Sequence, residues 1–115
     1  MAIHHGQCQC GKVRFEADTE IKEVISCNCS RCRRLGALLS AVPADKFKLT
    51  SGKDAMTRYT FNKHAINHMF CATCGIQAFA TGKLGDKDMV MVNVRCIDGL
   101  DAAALPVRMF DGARM

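Results

Sequence analysis

Cys27-Asn28-Cys29-Ser30-Arg31-Cys32 places three thiols within six residues, a density that metal ligation explains. In an extended segment residues i and i+2 project to the same side, so Cys27 and Cys29 at a strand end can face one ion while the following turn brings Cys32 onto it. Three thiolates are one ligand short of a closed tetrahedral zinc site, and the immediate neighbourhood holds no fourth Cys, His or carboxylate. An open coordination position points to chemistry. Arg31, Arg33 and Arg34 are interleaved with the thiols; opposite charge favours thiolates, and the same arginines are candidate contacts for an anionic ligand.

Two further motifs frame this loop. Gly6-Gln7-Cys8-Gln9-Cys10-Gly11 carries a C-x-C with glycines that let the backbone turn around an ion, and Cys71-Ala72-Thr73-Cys74-Gly75 carries a C-x-x-C. Cys8, Cys10, Cys71 and Cys74 together supply four thiolates, the number for a closed structural zinc site. Because the two pairs are far apart in the chain, the ion ties an early strand to a late hairpin, and its binding is coupled to folding. The competing reading is a thioredoxin-type redox pair at Cys71 and Cys74, which requires a strand, turn and helix context that is not evident here.

For Cys27, Cys29 and Cys32 the alternative is a second structural site closed from a distance by Cys96, His64 or His68. His64 and His68 are four apart, the spacing of a helical metal pair, but their surroundings read as β structure, where such residues stand about 13 Å apart. Both are therefore expected at the surface. Cys96 follows an apolar strand and is expected as a small buried hydrophobe.

Along the chain, residues 13–17 alternate, with Val13, Phe15 and Ala17 on one face, as in a half-buried antiparallel strand. Residues 21–29 read as the next strand, delivering Cys27 and Cys29 at its end; Ser30 then caps a helical turn that Gly36 stops. Residues 38–42, 47–50, 55–61, 66–70 and 76–81 read as strands, with the C-x-x-C as a zinc knuckle at the tip of the last pair. Residues 89–94, Met-Val-Met-Val-Asn-Val, are apolar on both faces and are expected at the centre of a sheet. A helical turn over 100–105 and a final strand over 107–110 complete the reading.

The 115 residues are read as one domain, 1–115, burying roughly two-thirds of the surface its unfolded chain exposes. No apolar run approaches the 18 or so residues of a membrane span. Residues 1–6 lack the basic and apolar regions of a signal peptide, so a cytoplasmic protein is expected, and eight Cys there are metal ligands rather than disulfides. The formal charge of +5 becomes +5 − 7 + 4 = +2 once seven thiolates hold two Zn²⁺ ions. With no long basic block, nucleic acid is disfavoured, and a small anionic substrate fits better.

Four segments together, G-x-C-x-C-G-x-V-x-F at 6–15, C-x-C-S-x-C-R at 27–33, F-C-x-x-C-G at 70–75 and N-V-R-C at 93–96, resemble the glutathione-dependent formaldehyde-activating family, which also includes vertebrate centromere protein V. The resemblance implies a mainly β, β-tent-like zinc-binding fold of antiparallel sheets. It implies a structural zinc on Cys8, Cys10, Cys71 and Cys74 and a catalytic zinc on Cys27, Cys29 and Cys32. The implied activity is that of a carbon–sulfur lyase, combining glutathione or a similar small thiol with formaldehyde to give S-hydroxymethylglutathione. The other functional class is a non-enzymatic zinc module for protein or nucleic-acid interaction, which a second site closed by protein ligands alone would favour.

Overall fold

The structure, a computed structural model, describes residues 2–114. Along them run the strands β1 (Ile3–Gln7), β2 (Arg14–Asp18), β3 (Val24–Cys27), β4 (Leu39–Pro43), β5 (Phe47–Ser51), β6 (Met56–Tyr59), β7 (Asn67–Cys71), β8 (Gln77–Leu84), β9 (Lys87–Asn93) and β10 (Val107–Phe110), with one α-helical turn, α1 (Cys32–Leu35), and five short 3-10 turns, one of them at Ala102–Ala104. They form a small sheet in the order β1-β2-β5 and a large one in the order β10-β3-β4-β9-β8-β7-β6. The mainly β expectation holds. The pairings are antiparallel except at one edge, where β10 runs parallel to β3.

The alternation of Val13, Phe15 and Ala17 becomes the inner face of the small sheet, each of the three at most 1% exposed. Phe47 on β5 carries that face to the large sheet: its ring stacks on Phe15 at 5.4 Å and meets Phe79 on β8 at 4.8 Å. Burying such rings supplies much of the driving force for joining two sheets. Val42, Val90, Val92 and Val94 fill the same core.

β9 is the middle strand of the large sheet, and its doubly apolar sequence has a specific cause. Val90 and Val92 face the main core, whereas Met91 packs on a second cluster made of Cys32, Ala37, Leu39, Ile25, Cys27 and Cys29. The three-thiol loop therefore has an apolar floor of its own.

Four local expectations change. β1 has no apolar alternation, so it escaped a pattern-based reading; backbone pairing with β2 forms it. Gly6 lies in that strand, paired with Phe15, rather than in a turn, and it is glycine there because a Cβ would overlap the Phe15 ring. Extended structure was expected to reach Cys29 but stops at Cys27, since the Cys29 and Cys32 amides point at the sulfurs of Cys27 and Cys29 instead of at a neighbouring strand. The N-cap of α1 is Arg31, not Ser30, and no side chain caps it. Gly36 does end the turn, in the left-handed conformation at φ 74° that suits glycine.

Candidate functional site

The turn after β1 and the hairpin between β7 and β8 bring together the sulfurs of Cys8, Cys10, Cys71 and Cys74, all within 4.8 Å of one another. Cys10 Sγ lies 3.7 Å from Cys8 Sγ and 3.6 Å from Cys71 Sγ. Gly11 and Gly75, both at φ 81°, permit the tight turns that follow each pair. Backbone amides address the sulfurs: Val13 N–H donates to Cys8 Sγ at 3.3 Å and Cys74 N–H to Cys71 Sγ at 3.4 Å. The Ile76 amide, then the Cys10 amide, outweigh burial at Cys74 and bring its pKa down to about 6. Four converging soft donors with amides directed at them fit zinc.

Cys96 does not join these four. It is half-buried beside them: burial first, then the proximity of Cys8, Cys74 and Asp98, push its thiol up to about 11.

The second set is Cys27, Cys29 and Cys32, whose sulfurs also lie within 4.8 Å of one another. Among the described residues no further His, Cys, Asp or Glu joins them at that spacing. Cys29 N–H donates to Cys27 Sγ at 3.5 Å and Cys32 N–H to Cys29 Sγ at 3.3 Å. Burial raises the Cys27 and Cys32 thiols. At Cys29 burial is outweighed by hydrogen bonds, chiefly from the Cys32 backbone, so its pKa falls. This trio also fits a soft metal ion and leaves room for one more ligand.

The loop is held from two sides. On one, Asn28 binds the end of the chain: its backbone N–H donates to Phe110 O at 3.1 Å, its Nδ2 to Asp111 Oδ1 at 3.0 Å, and its Oδ1 accepts from Ala113 N–H at 2.9 Å. That segment comes so close that a Cβ at Gly112 would stand 2.5 Å from Cys27 Sγ. On the other, Arg31 Nε and Nη2 donate to Gln77 Oε1 at 3.0 and 2.8 Å. Its guanidinium lies 4.8 Å over the Tyr59 ring and 5.9 Å from that of Phe70. Arg34 Nη1 donates to Ser30 O at 2.7 Å, and Arg33 is exposed.

The two histidines divide. His64 is exposed, with Nδ1 at 2.8 Å from Thr60 Oγ1. His68, expected at the surface, is only 5% exposed, because β7 places it in the large sheet under the Phe61 ring, 5.2 Å away. Its Nδ1 has no partner. Neither histidine closes the three-thiol site.

Comparison with known proteins agrees with this architecture. The family model described as glutathione-dependent formaldehyde-activating enzyme matches residues 3–111. The chain belongs to this family. A crystal structure of a Rhodobacter sphaeroides protein is similar to it with a TM-score of 0.80 and 28% sequence identity, covering 90% of this chain and 99% of that one. Membership implies glutathione-dependent formaldehyde activation and a zinc-binding cysteine cluster.

Within this member of the formaldehyde-activating family, sequence reasoning located both thiol sets and missed what surrounds them. Gln77, Tyr59, Phe61 and His68 carry no motif. The available signal was their place: Gln77 follows the C-x-x-C knuckle by three residues, and Tyr59 alternates with Phe61 on one face. Asn93 of N-V-R-C anchors Gln77 in turn, donating from Nδ2 to its backbone oxygen at 2.9 Å.

Proposed function

We propose that the chain is a zinc-dependent carbon–sulfur lyase that joins glutathione, or a similar small thiol, to formaldehyde. On this reading Cys8, Cys10, Cys71 and Cys74 hold a structural zinc, and Cys27, Cys29 and Cys32 hold a second, catalytic one in a cytoplasmic enzyme. The observation that carries it is the three-sulfur set that no fourth His, Cys, Asp or Glu joins among the described residues, in a chain whose family acts on this thiol and this aldehyde.

In the net reaction the thiol adds across the aldehyde. A carbon–sulfur bond forms, the C=O π bond becomes a C–OH, and the proton leaving sulfur ends on that oxygen. When bound, the ion supplies the charge that lowers a thiol's pKa into the physiological range. The chain's own residues do the rest. The Cys29 and Cys32 amides hold the sulfurs converged, and Met91, Leu39 and Ala37 keep water from the loop's inner side. Asn28 and Arg31 fix the loop at its two flanks, so the open position faces a constant environment. A fourth thiolate would bring the site to a net charge of −2, and nearby arginines moderate that charge.

Metal analysis of the purified protein is expected to give two zinc ions per chain, and one ion at full occupancy overturns the two-site assignment. In the cobalt-substituted protein, glutathione is expected to change the thiolate-to-metal absorption, whereas S-methylglutathione is not. Identical spectra with and without saturating glutathione would remove this thiol from the reading and leave a zinc-binding interaction module in its place.

A further inference from the structure

Beside the three-thiol loop lies a cleft of about 470 Å³ lined by Ser30, Arg31, Arg34, Leu35, Tyr59 and Phe61. Its floor is the loop itself, since Ser30 and Arg31 separate Cys29 from Cys32. Its wall is aromatic: the Tyr59 and Phe61 rings stack 5.8 Å apart with 22° between their planes. The arginines are unusual in their partners. None of the ion pairs among the described residues includes Arg31, Arg33 or Arg34. Arg31 is gripped twice, yet by the neutral oxygen of Gln77, which is 3% exposed.

We propose that this cleft is a carboxylate subsite in which Arg31, held rigid but not neutralised by Gln77, binds the carboxylate of a small acidic thiol. The inference rests on the reading of the three-thiol set as a thiol site. Two of the five guanidinium N–H groups serve Gln77, and the three that remain on Nη1 and Nη2 make a fork suited to a planar carboxylate. Arg34, on the following turn, adds a second positive charge. The Tyr59 and Phe61 faces cover the methylene chain between carboxylate and sulfur. Gln77 is the positioning residue: a carboxylate at that place would grip Arg31 as firmly and cancel its charge, whereas an amide leaves the charge for a ligand. The enzyme would therefore select acidic thiols over neutral ones of equal nucleophilicity.

Tyr59 is the one tyrosine in a chain without tryptophan, so intrinsic emission of the zinc-loaded protein reports on the cleft alone. Cobalt absorption reports on sulfur. S-methylglutathione is expected to change Tyr59 emission saturably without moving the cobalt bands, and its diethyl ester, with both carboxylates blocked, to bind at least roughly tenfold more weakly. Gln77→Glu should weaken S-methylglutathione by a similar factor while preserving the zinc content. Because position 77 is buried, exposed Arg34→Gln provides a second variant, expected to weaken binding severalfold and to reduce its salt dependence. Equal affinity for the free acid and the diester, or Gln77→Glu and Arg34→Gln proteins that bind like the parent, overturns the subsite. Inorganic phosphate binding as tightly as S-methylglutathione overturns its assignment to carboxylates. A Tyr59 response to glutathione with an unmoved cobalt spectrum supports the subsite and removes the thiol-site reading, and silence from both readouts overturns both.

Discussion

The two thiol sets differ in how the chain assembles them. Cys8 and Cys10 lie in the turn between β1 and β2, while Cys71 and Cys74 belong to the hairpin that joins β7 to β8, so the first set exists only when remote segments have met. Cys27, Cys29 and Cys32 come from one loop, whose sulfurs are already close by local geometry and need only outside support. On the proposed reading, an ion in the first set would act as a strut between two sheets, and in the second it would be an accessory of a loop, free to bind something else. The same element, with almost the same ligands, would then take a structural or a chemical role according to the sequence distance its ligands span.

The largest test of that contrast removes one ligand from each set. Structural zinc contributes about 10–16 kcal/mol of apparent binding free energy, as much as or more than the roughly 5–15 kcal/mol of a whole domain. Cys8→Ser and Cys74→Ser are therefore expected to unfold the protein, with loss of both ions and of the cooperative thermal transition. Cys29→Ser is expected to keep the transition and one ion. Equal drops in Tm for all three variants would erase the distinction between strut and accessory.

A smaller effect probes how the second set is supported. β10 is an exposed edge strand, so the main core does not depend on it, yet the chain after it closes on Cys27. Gly112→Ala puts a methyl group 2.5 Å from Cys27 Sγ and 3.3 Å from Cys29 Cβ, an overpacking of about 1–3 kcal/mol. The expected outcome is about a tenfold or greater loss of metal affinity at the three-thiol set with the four-thiol set still filled, measured by competition with a chromophoric chelator. A variant that loses affinity at both sets equally would place Gly112 in the general fold instead.

How much of this could be read from the sequence follows the same division. C-x-C, C-x-x-C and the three-thiol run are local spacings imposed by ligand geometry, and each was visible without the fold. The center of the large sheet was visible too, since Met-Val-Met-Val in β9 needs apolar neighbours on both faces. The supports were not visible, because they are long-range and use ordinary residues. Arg31 reads as one of three interleaved cations until β8 supplies Gln77, 46 positions along the chain. Gly112 belongs to no motif in the sequence, and only the parallel pairing of β10 with β3 brings it to Cys27. β1 and the burial of His68 escaped for a related reason: backbone pairing and sheet position, not side-chain pattern, decide them.

The finest test concerns His68, which lies behind the aromatic wall of the cleft. Burial first, and the Arg31 guanidinium second, push its pKa below the ordinary 6.5. Below pH 6.5 the unfolded chain takes up a proton that the folded chain resists, so the unfolded state binds more protons and stability falls with falling pH. The contribution is fully present above that pH and is lost as pH drops through the depressed folded value. Its unpartnered Nδ1 adds a cost of about 1–3 kcal/mol that a nonpolar side chain avoids. His68→Leu, close to it in volume, is therefore expected to match or exceed the parent in stability near neutrality and to lose less on acidification, measured as the change in Tm between a neutral and a mildly acidic buffer. Acid also competes with zinc for the thiolates, but both proteins share the same thiol sets, and the difference between them isolates the histidine. Parallel pH profiles would mean that His68 binds its proton as readily in the folded chain as in the unfolded one, and that the aromatic wall does not shelter it.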